Sequence, residues 1–197
     1  MTLRHVAAAT IAAALVVPRT TILATPAADP LVIDRTQSRV SFTVTKWGFL
    51  EVEGVFRDFG GTVVYDQQRP EASRIDWRVK VASVKTDEPN RDQSLQQSEY
   101  FDAARFPELT FTSNRVAMLR PDELEVQGQI TIKGRSRPLT VRVRHATQND
   151  AGQQPLERFE TDFTVNRYDF GVVGGTVLGP VISRDVRVRI VIAARAQ

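Results

Sequence analysis

Residues able to do covalent or acid–base chemistry are sparse in this chain. It has no cysteine, and of its two histidines only His145 lies beyond the first thirty residues. Without cysteine there are no disulfides, thiol nucleophiles or zinc–thiolate sites. No serine sits in a Gly-x-Ser-x-Gly elbow, so a Ser–His–Asp hydrolase is not signalled. His145 shares the parity of Leu139, Val141 and Val143, which could turn it inward. The simpler reading is a partly exposed histidine ending a strand before the Asn149–Pro155 loop, with no identified partner for proton transfer. Asp87-Glu88 and Asp122-Glu123 fall in turn-like segments and read as solvated turns, not metal ligands. A two-carboxylate glycosidase would need acids from distant strands, and the sequence nominates no pair. Gly171, Gly174, Gly175 and Gly179 form a glycine-rich stretch, but no Lys-Ser/Thr follows and a strand comes next, which argues against a phosphate loop. The stretch reads as a flexible connection, or more sharply as a mobile flap.

Charge adds little. Lys+Arg number 26 and Asp+Glu 23, a net charge of +3 over 197 residues. Arg4 and Arg19 account for two of these charges, so the remainder carries +1 and no nucleic-acid partner is indicated. Arg4 and His5 precede an uncharged run from Val6 to Val17, which Pro18 ends. That is the pattern of a signal peptide, expected over residues 1–28 with cleavage after Ala24 or Ala27. A permanent anchor would need about 20 apolar residues, and the run falls short by roughly two turns. The domain is therefore expected over residues 29–197, periplasmic or secreted, where nucleotide-dependent reactions have little substrate.

The elements that must position any site are strands. From Leu31 onward the dominant period is two, the mark of a strand with one buried face. Val40, Phe42 and Val44 alternate with polar residues, as do Ile75, Trp77, Val79 and Val81. The same holds for Leu124, Val126, Ile130 and Ile132, for Leu139, Val141 and Val143, for Phe159, Phe163 and Val165, and for Val186, Val188, Ile190 and Ile192. Turn material separates these runs at Gly60-Gly61, Gln67–Pro70, Pro121-Asp122, Gly134–Pro138 and Asn149–Pro155. Arg91–Phe101, after Pro89-Asn90, is the one helix-tolerant segment, with Leu95, Tyr100 and Phe101 packing inward. About eight antiparallel strands must hide their edges in a barrel or a sandwich. Ser73–Lys85, read as one strand of roughly 40 Å, favours an all-β, single antiparallel barrel. Val79 would look into its middle. Periodicity alone leaves open whether the interior is a dry core or a pocket.

Several stretches together resemble the YceI-like family of exported, lipocalin-like polyisoprenoid-binding proteins. They are Ile33-Asp34 with Ser38 and VSFTV (Val40–Val44); Gly54-Val55-Phe56 with Phe59-Gly60-Gly61; Ser83–Thr86; Arg91-Asp92; Glu99–Asp102; FPELTFTS (Phe106–Ser113); GQITIKGRSRPLTV (Gly128–Val141); and NRYDFG (Asn166–Gly171). Their order and spacing carry the match from about Leu31 to Ala194. Gln37, Lys46 and Ser94 depart from it at positions where relatives often have histidine.

The resemblance implies a lipocalin-like barrel that holds a long isoprenoid, of polyprenyl phosphate or quinone type, with no catalytic residue and no cofactor beyond the bound lipid. The apolar lining it implies is Phe42, Val44, Trp77, Val79, Phe101, Phe111, Ile130, Ile132, Phe163 and Phe170. A pyrophosphate head would call for arginine, and Arg91 and Arg167 are the candidates. Alternatively, Arg91 with Asp92 and Arg167 with Asp169 would brace loops as local ion pairs. Transient membrane contact and a homodimer are both compatible with this reading. The alternative function is a barrel enzyme acting on an apolar substrate through carboxylates the sequence does not reveal, and a third reading is a solid-core barrel that binds other proteins through its outer face.

Overall fold

The computed structural model describes residues 28–149, 154–176 and 179–196; the expected leader over 1–28 falls, but for its last residue, outside the described residues. Ten strands form one antiparallel sheet: β1 (Val32–Lys46), β2 (Leu50–Phe56), β3 (Phe59–Val64), β4 (Arg74–Lys80), β5 (Val84–Lys85), β6 (Glu108–Arg120), β7 (Glu123–Ile132), β8 (Arg135–Gln148), β9 (Leu156–Asn166) and β10 (Asp185–Arg195). The one α-helix among the described residues, α1 (Pro89–Leu95), follows β5. The strand order is β3-β4-β6-β7-β8-β9-β10-β1-β2-β5.

That order closes on itself because β2 and β3 are halves of one bent strand. β2 pairs with β1 on one side and, through Val55 and Phe56, with β5 on the other. After the bend at Arg57-Asp58 the chain becomes β3 and pairs with β4. Lys80 N–H donates to Asp58 O at 2.9 Å and Arg57 N–H to Ser83 O at 3.2 Å, carrying the ladder across the bend. The far end of β3 also meets the segment before β1, where Leu31 N–H donates to Val63 O at 2.8 Å. The result is a lipocalin-like barrel without a long free edge.

Ser73–Lys85 is accordingly not one strand: a 3-10 turn at Val81–Ser83 separates β4 from β5 and follows the bend opposite. Gly60-Gly61 is not a turn either, since both residues lie within β3. Gly61 has φ 153°, and a Cβ there would lie 1.9 Å from Asp76 O, so only glycine lets β3 approach β4 this closely. The expected turn at Gly134–Pro138 shrinks to Lys133-Gly134, with the remainder in β8. Pro138 is tolerated there because β8 and β9 pair only from Arg144–Glu160 to Gln148–Leu156, which leaves the β9-facing side of Pro138 without a ladder.

Strand direction sorts the connections into two ends. One end carries the β1–β2 and β7–β8 turns, the 81–107 connection with α1, and the 167–184 connection. The other carries the 65–73 connection and the β6–β7 turn. The main apolar cluster runs through the interior from Val40, Phe56 and Trp77 to Val116, Leu124, Val126, Val143, Phe159 and Ile192.

Candidate functional site

The barrel encloses a cavity of about 570 Å³, within the usual size range of small-molecule sites. Its wall is almost wholly apolar, with side chains from β1 to β4 and β6 to β10, and α1 and the 167–184 connection at one end. Burial changes along the strands. At the end with the β6–β7 turn, Val116, Leu124 and Val126 are 1 to 3% exposed. At the α1 end the inward residues of the same barrel, Phe42, Val44, Val52, Phe163, Val165, Val186 and Val188, are only half-buried. They border the cavity, with Phe42 and Phe163 also packed against the main cluster and Val165 against a smaller one. The first end is a packed floor and the second a mouth.

Glycine helps keep the upper interior open. Phe42 of β1 lies directly across from Gly54 of β2, and a Cβ at Gly54 would come within 2.3 Å of Phe42 Cζ. Phe111 lies similarly over Gly128, whose Cβ would come within 2.6 Å of Phe111 Cζ. Both rings occupy space that a neighbouring side chain would otherwise fill, so they lie along the wall.

The mouth is framed by polar bonds. Arg167, in the 3-10 turn Arg167–Phe170 that follows β9, is 6% exposed. Its guanidinium donates to the carbonyl oxygens of Val172, Val173, Gly179, Ile182 and Ser183 at 2.6 to 3.0 Å. Lys133 Nζ joins the α1 side to this loop by donating to Ser98 O at 2.6 Å and Gly171 O at 2.8 Å. Burial pushes the Lys133 ammonium below its ordinary pKa. Glu88 caps α1 by accepting from Asn90 and Arg91 N–H. Asp92 Oδ1 accepts from Thr86 N–H at 2.8 Å and Thr86 Oγ1 at 2.7 Å, and Lys85 Nζ stands 3.5 Å from Oδ2. Burial acts to raise the Asp92 carboxyl, but the Thr86 bonds and the Lys85 charge outweigh it and hold it below the usual carboxylate range.

The sequence matches the YceI-like domain over residues 31–194, nearly the whole barrel. The chain belongs to the YceI-like family. Protein YceI of Salmonella arizonae is 32% identical over 144 residues, 72% of this chain and 73% of that protein. A UPF0312 protein of Pseudomonas savastanoi pv. phaseolicola is 30% identical over 151 residues, 75% of this chain and 77% of the relative. Among solved structures, BcnA of Burkholderia cenocepacia superposes with a TM-score of 0.74 at 25% identity, covering 83% of this chain and 99% of that one. A polyisoprenoid binding domain from Saccharophagus degradans shares the fold, with a TM-score of 0.63 at 15% identity over 87% of this chain and all of that one.

In this YceI-like barrel the ten apolar positions expected to line the interior all border this cavity. They do not border it equally. Phe42, Val44, Phe111, Ile130 and Phe163 are half-buried. Trp77 and Val79, each 6% exposed, are packed into the main cluster with Phe59, and Trp77 Nε1 is buried without a protein acceptor among the described residues. Phe101 joins the α1 connection to this cluster, while Ile132 and Phe170 form a second cluster with Val172 beneath the mouth loops.

The two arginines part company. Arg167 is spent on carbonyls, with neither an Asp169 ion pair nor a free donor for a head group, which corrects its expected role. Arg91 borders the cavity, as Arg167 does, but is bonded differently. It bonds Thr86, through Nε to Oγ1 at 2.8 Å and through Nη2 to the carbonyl oxygen, and not Asp92. Its Nη1 has no protein partner among the described residues. Lys46, at the top of β1, borders the same opening, as do Asn90 and Ser94. Of the three departures from the family pattern, Lys46 and Ser94 thus both border the cavity, whereas Gln37 bonds Asp34 on β1 at 2.8 Å.

His145 is 7% exposed and has partners, contrary to the sequence expectation. Its Nε2 lies 2.5 Å from Glu157 Oε2 and its Nδ1 3.3 Å from the Tyr65 hydroxyl, and its ring stacks on Phe159. Burial, then the Glu157 charge, raises the Tyr65 phenol. This cluster seals the floor. Within the glycine-rich stretch, the described residues are held in place: Arg167 bonds the carbonyls of Val172, Val173 and Gly179, and Gly174 N–H donates to Glu99 O at 2.9 Å.

Proposed function

We propose that this protein binds and carries a long isoprenoid inside its barrel, outside the cytoplasm, without transforming it. The observation that carries this reading is the apolar cavity, half-open at one end and packed at the other. A chain entering it would gain about 0.8 kcal/mol per buried CH₂-sized group, enough for tight binding with no charged contact along the tail. The structural neighbour from Saccharophagus degradans is described as a polyisoprenoid binding domain, which supports this ligand class here. Arg91 Nη1 and Lys46 stand where the head group of such a chain would emerge, suiting a phosphate better than a neutral group. Glu88 is the one carboxylate bordering the cavity among the described residues, and it is committed to capping α1, so no acid–base pair faces the ligand. That favours carriage over catalysis.

The test is organic extraction of the protein recovered from the periplasm, with mass spectrometry of both extract and chain. The reading predicts a long isoprenoid in near-stoichiometric amount and a chain beginning between Thr25 and Asp29. An extract free of isoprenoid, or a full-length chain confined to the membrane, would contradict it.

A further inference from the structure

The β1–β2 turn breaks a backbone preference. Phe49 N–H donates to Lys46 O at 3.3 Å, and the central residues Trp47 and Gly48 have φ of 54° and 79°. This is a type I′ pattern, whose first central position favours Asn, Asp or Gly. The β7–β8 turn is built alike, with Lys133 at φ 49° and Gly134 at 70°. There the side chain offsets the strain, because Lys133 Nζ ties two mouth segments together. Trp47 shows no such return. Its side chain meets the Lys46 ammonium, 4.1 Å from the ring centroid, and the residue is 54% exposed. A bulky aromatic held in the left-handed region points to a use outside the fold.

Its surroundings indicate the use. Phe49 is 79% exposed, Leu50 43%, and Val173 of the 167–184 connection 49%. Trp47 N–H donates to Val181 O at 2.8 Å, which fixes the tip to the mouth loops. Lys46, the residue from which the tip projects, borders the cavity. From Lys46 to Leu50 the only charge is the ammonium, and the next residue, Glu51, is paired with Arg187. The tip therefore joins exposed aromatic surface to one uncompensated positive charge.

We propose that this tip docks the barrel mouth onto a phospholipid bilayer. Tryptophan favours the interfacial zone, lysine extends its ammonium toward lipid phosphate, and Phe49 and Leu50 enter the acyl boundary. A lipid passing between bilayer and cavity at this point would avoid water. The purpose rests on the carriage reading; the docking itself does not.

A chain beginning at Ala28 contains all ten strands, α1 and both apolar clusters and serves as the test protein. Delipidated protein is floated with vesicles of phosphatidylglycerol and phosphatidylethanolamine. The parent should float, with its tryptophan emission shifted to the blue. Trp47→Asn and Phe49→Ser should each lower binding about tenfold. Trp47→Asn should unfold at the same temperature as the parent or higher, because asparagine suits the turn. Paired Met118→Ser and Leu119→Ser at the floor end should bind like the parent. A parent that does not float, tip variants that float as well as the parent, or equal loss from the floor-end pair would overturn the proposal. So would a dimer in sedimentation that both tip variants abolish without vesicle binding, which would assign the tip to a second copy. Isoprenoid content is measured separately: protein that carries isoprenoid but does not float overturns docking alone, and protein that floats but yields none overturns carriage alone.

Discussion

The floor and the mouth of this barrel are built from the same strands but held by different forces. At the floor, Val116, Leu124 and Val126 interlock with almost no exposure, and the His145–Glu157–Tyr65 cluster closes the end. At the mouth, the same inward parity continues through Val44, Val186 and Val188, yet these half-buried side chains border the cavity and belong to neither apolar cluster. Above the small apolar cluster of Ile132, Phe170 and Val172, what ties the mouth segments together is polar: Arg167 on five carbonyls, Lys133 on two, and Asp92 on Thr86. A barrel that takes an apolar ligand into its interior cannot stabilise its ligand-free mouth by filling it, because the filling would occupy the ligand's place. Hydrogen bonding in the rim supplies rigidity without using that volume.

The largest effect should come from the rim. Arg167→Ala strands several buried carbonyls, each costing about 1 to 3 kcal/mol, so a total loss of at least about 3 kcal/mol is expected. Denaturant unfolding measures it, and hydrogen exchange should show residues 171–176 opening first. Exchange unchanged there would mean that Arg167 is not the clamp.

Next comes a direct contrast between the ends. Leu124→Ala at the floor should cost about 2 to 5 kcal/mol, whereas Val188→Ala at the mouth should cost well under about 1 kcal/mol in ligand-free protein, because its methyls have few partners to lose. Equal costs, scaled to the methyl groups removed, would erase the distinction.

Gly54→Ala sharpens it further. The added methyl displaces the Phe42 ring from the wall toward the lumen, at a cost of about 1 kcal/mol or somewhat more. Uptake of a long isoprenoid should fall while that of a short one persists. Unchanged uptake of both would place Phe42 outside the ligand's path.

Acid should act on the rim before the packed floor. Asp92 has a folded pKa below its unfolded value, so its contribution is complete above the unfolded pKa and fades as pH falls through the folded one. Asp34, held at about 2 by Thr36 and Gln37, has the same sign, its contribution fading as pH falls toward that value. Amide exchange across residues 86–95 should therefore rise below about pH 4 while residues 116–126 stay protected. Simultaneous loss at both ends would contradict a separately held rim.

The parity of the interior was legible in the sequence, but position along the strand was not. Alternation marked the inward faces of β1, β4 and β7 to β10. It missed β6, where a register shift between Ser113 and Arg115 breaks the period, and β3, whose two glycines read as a turn. Val79 has the right parity, yet it sits opposite Phe59 and Leu109 in the packed cluster, because the bend at Arg57-Asp58 folds β3 against it. Loop bracing by Arg167 was legible only as an Asp169 ion pair; its actual partners escaped the sequence because they are backbone oxygens between 5 and 16 residues away. The partners of His145 were equally hidden, as Tyr65 is 80 residues away and Glu157 lies on another strand. Lys46 showed only as a departure from the family pattern, and its place at the mouth needed the fold.

The most direct test of a ligand space above a packed floor is a pair of ring insertions, Val188→Phe at the mouth and Val126→Phe at the floor, each measured for unfolding free energy after delipidation and for isoprenoid bound. The account predicts that Val188→Phe leaves ligand-free stability nearly unchanged and removes most of the bound isoprenoid, whereas Val126→Phe loses about 1 to 3 kcal/mol through overpacking. Comparable destabilisation in both variants, with isoprenoid binding intact in Val188→Phe, would show that the mouth half is ordinary core and contradict the account.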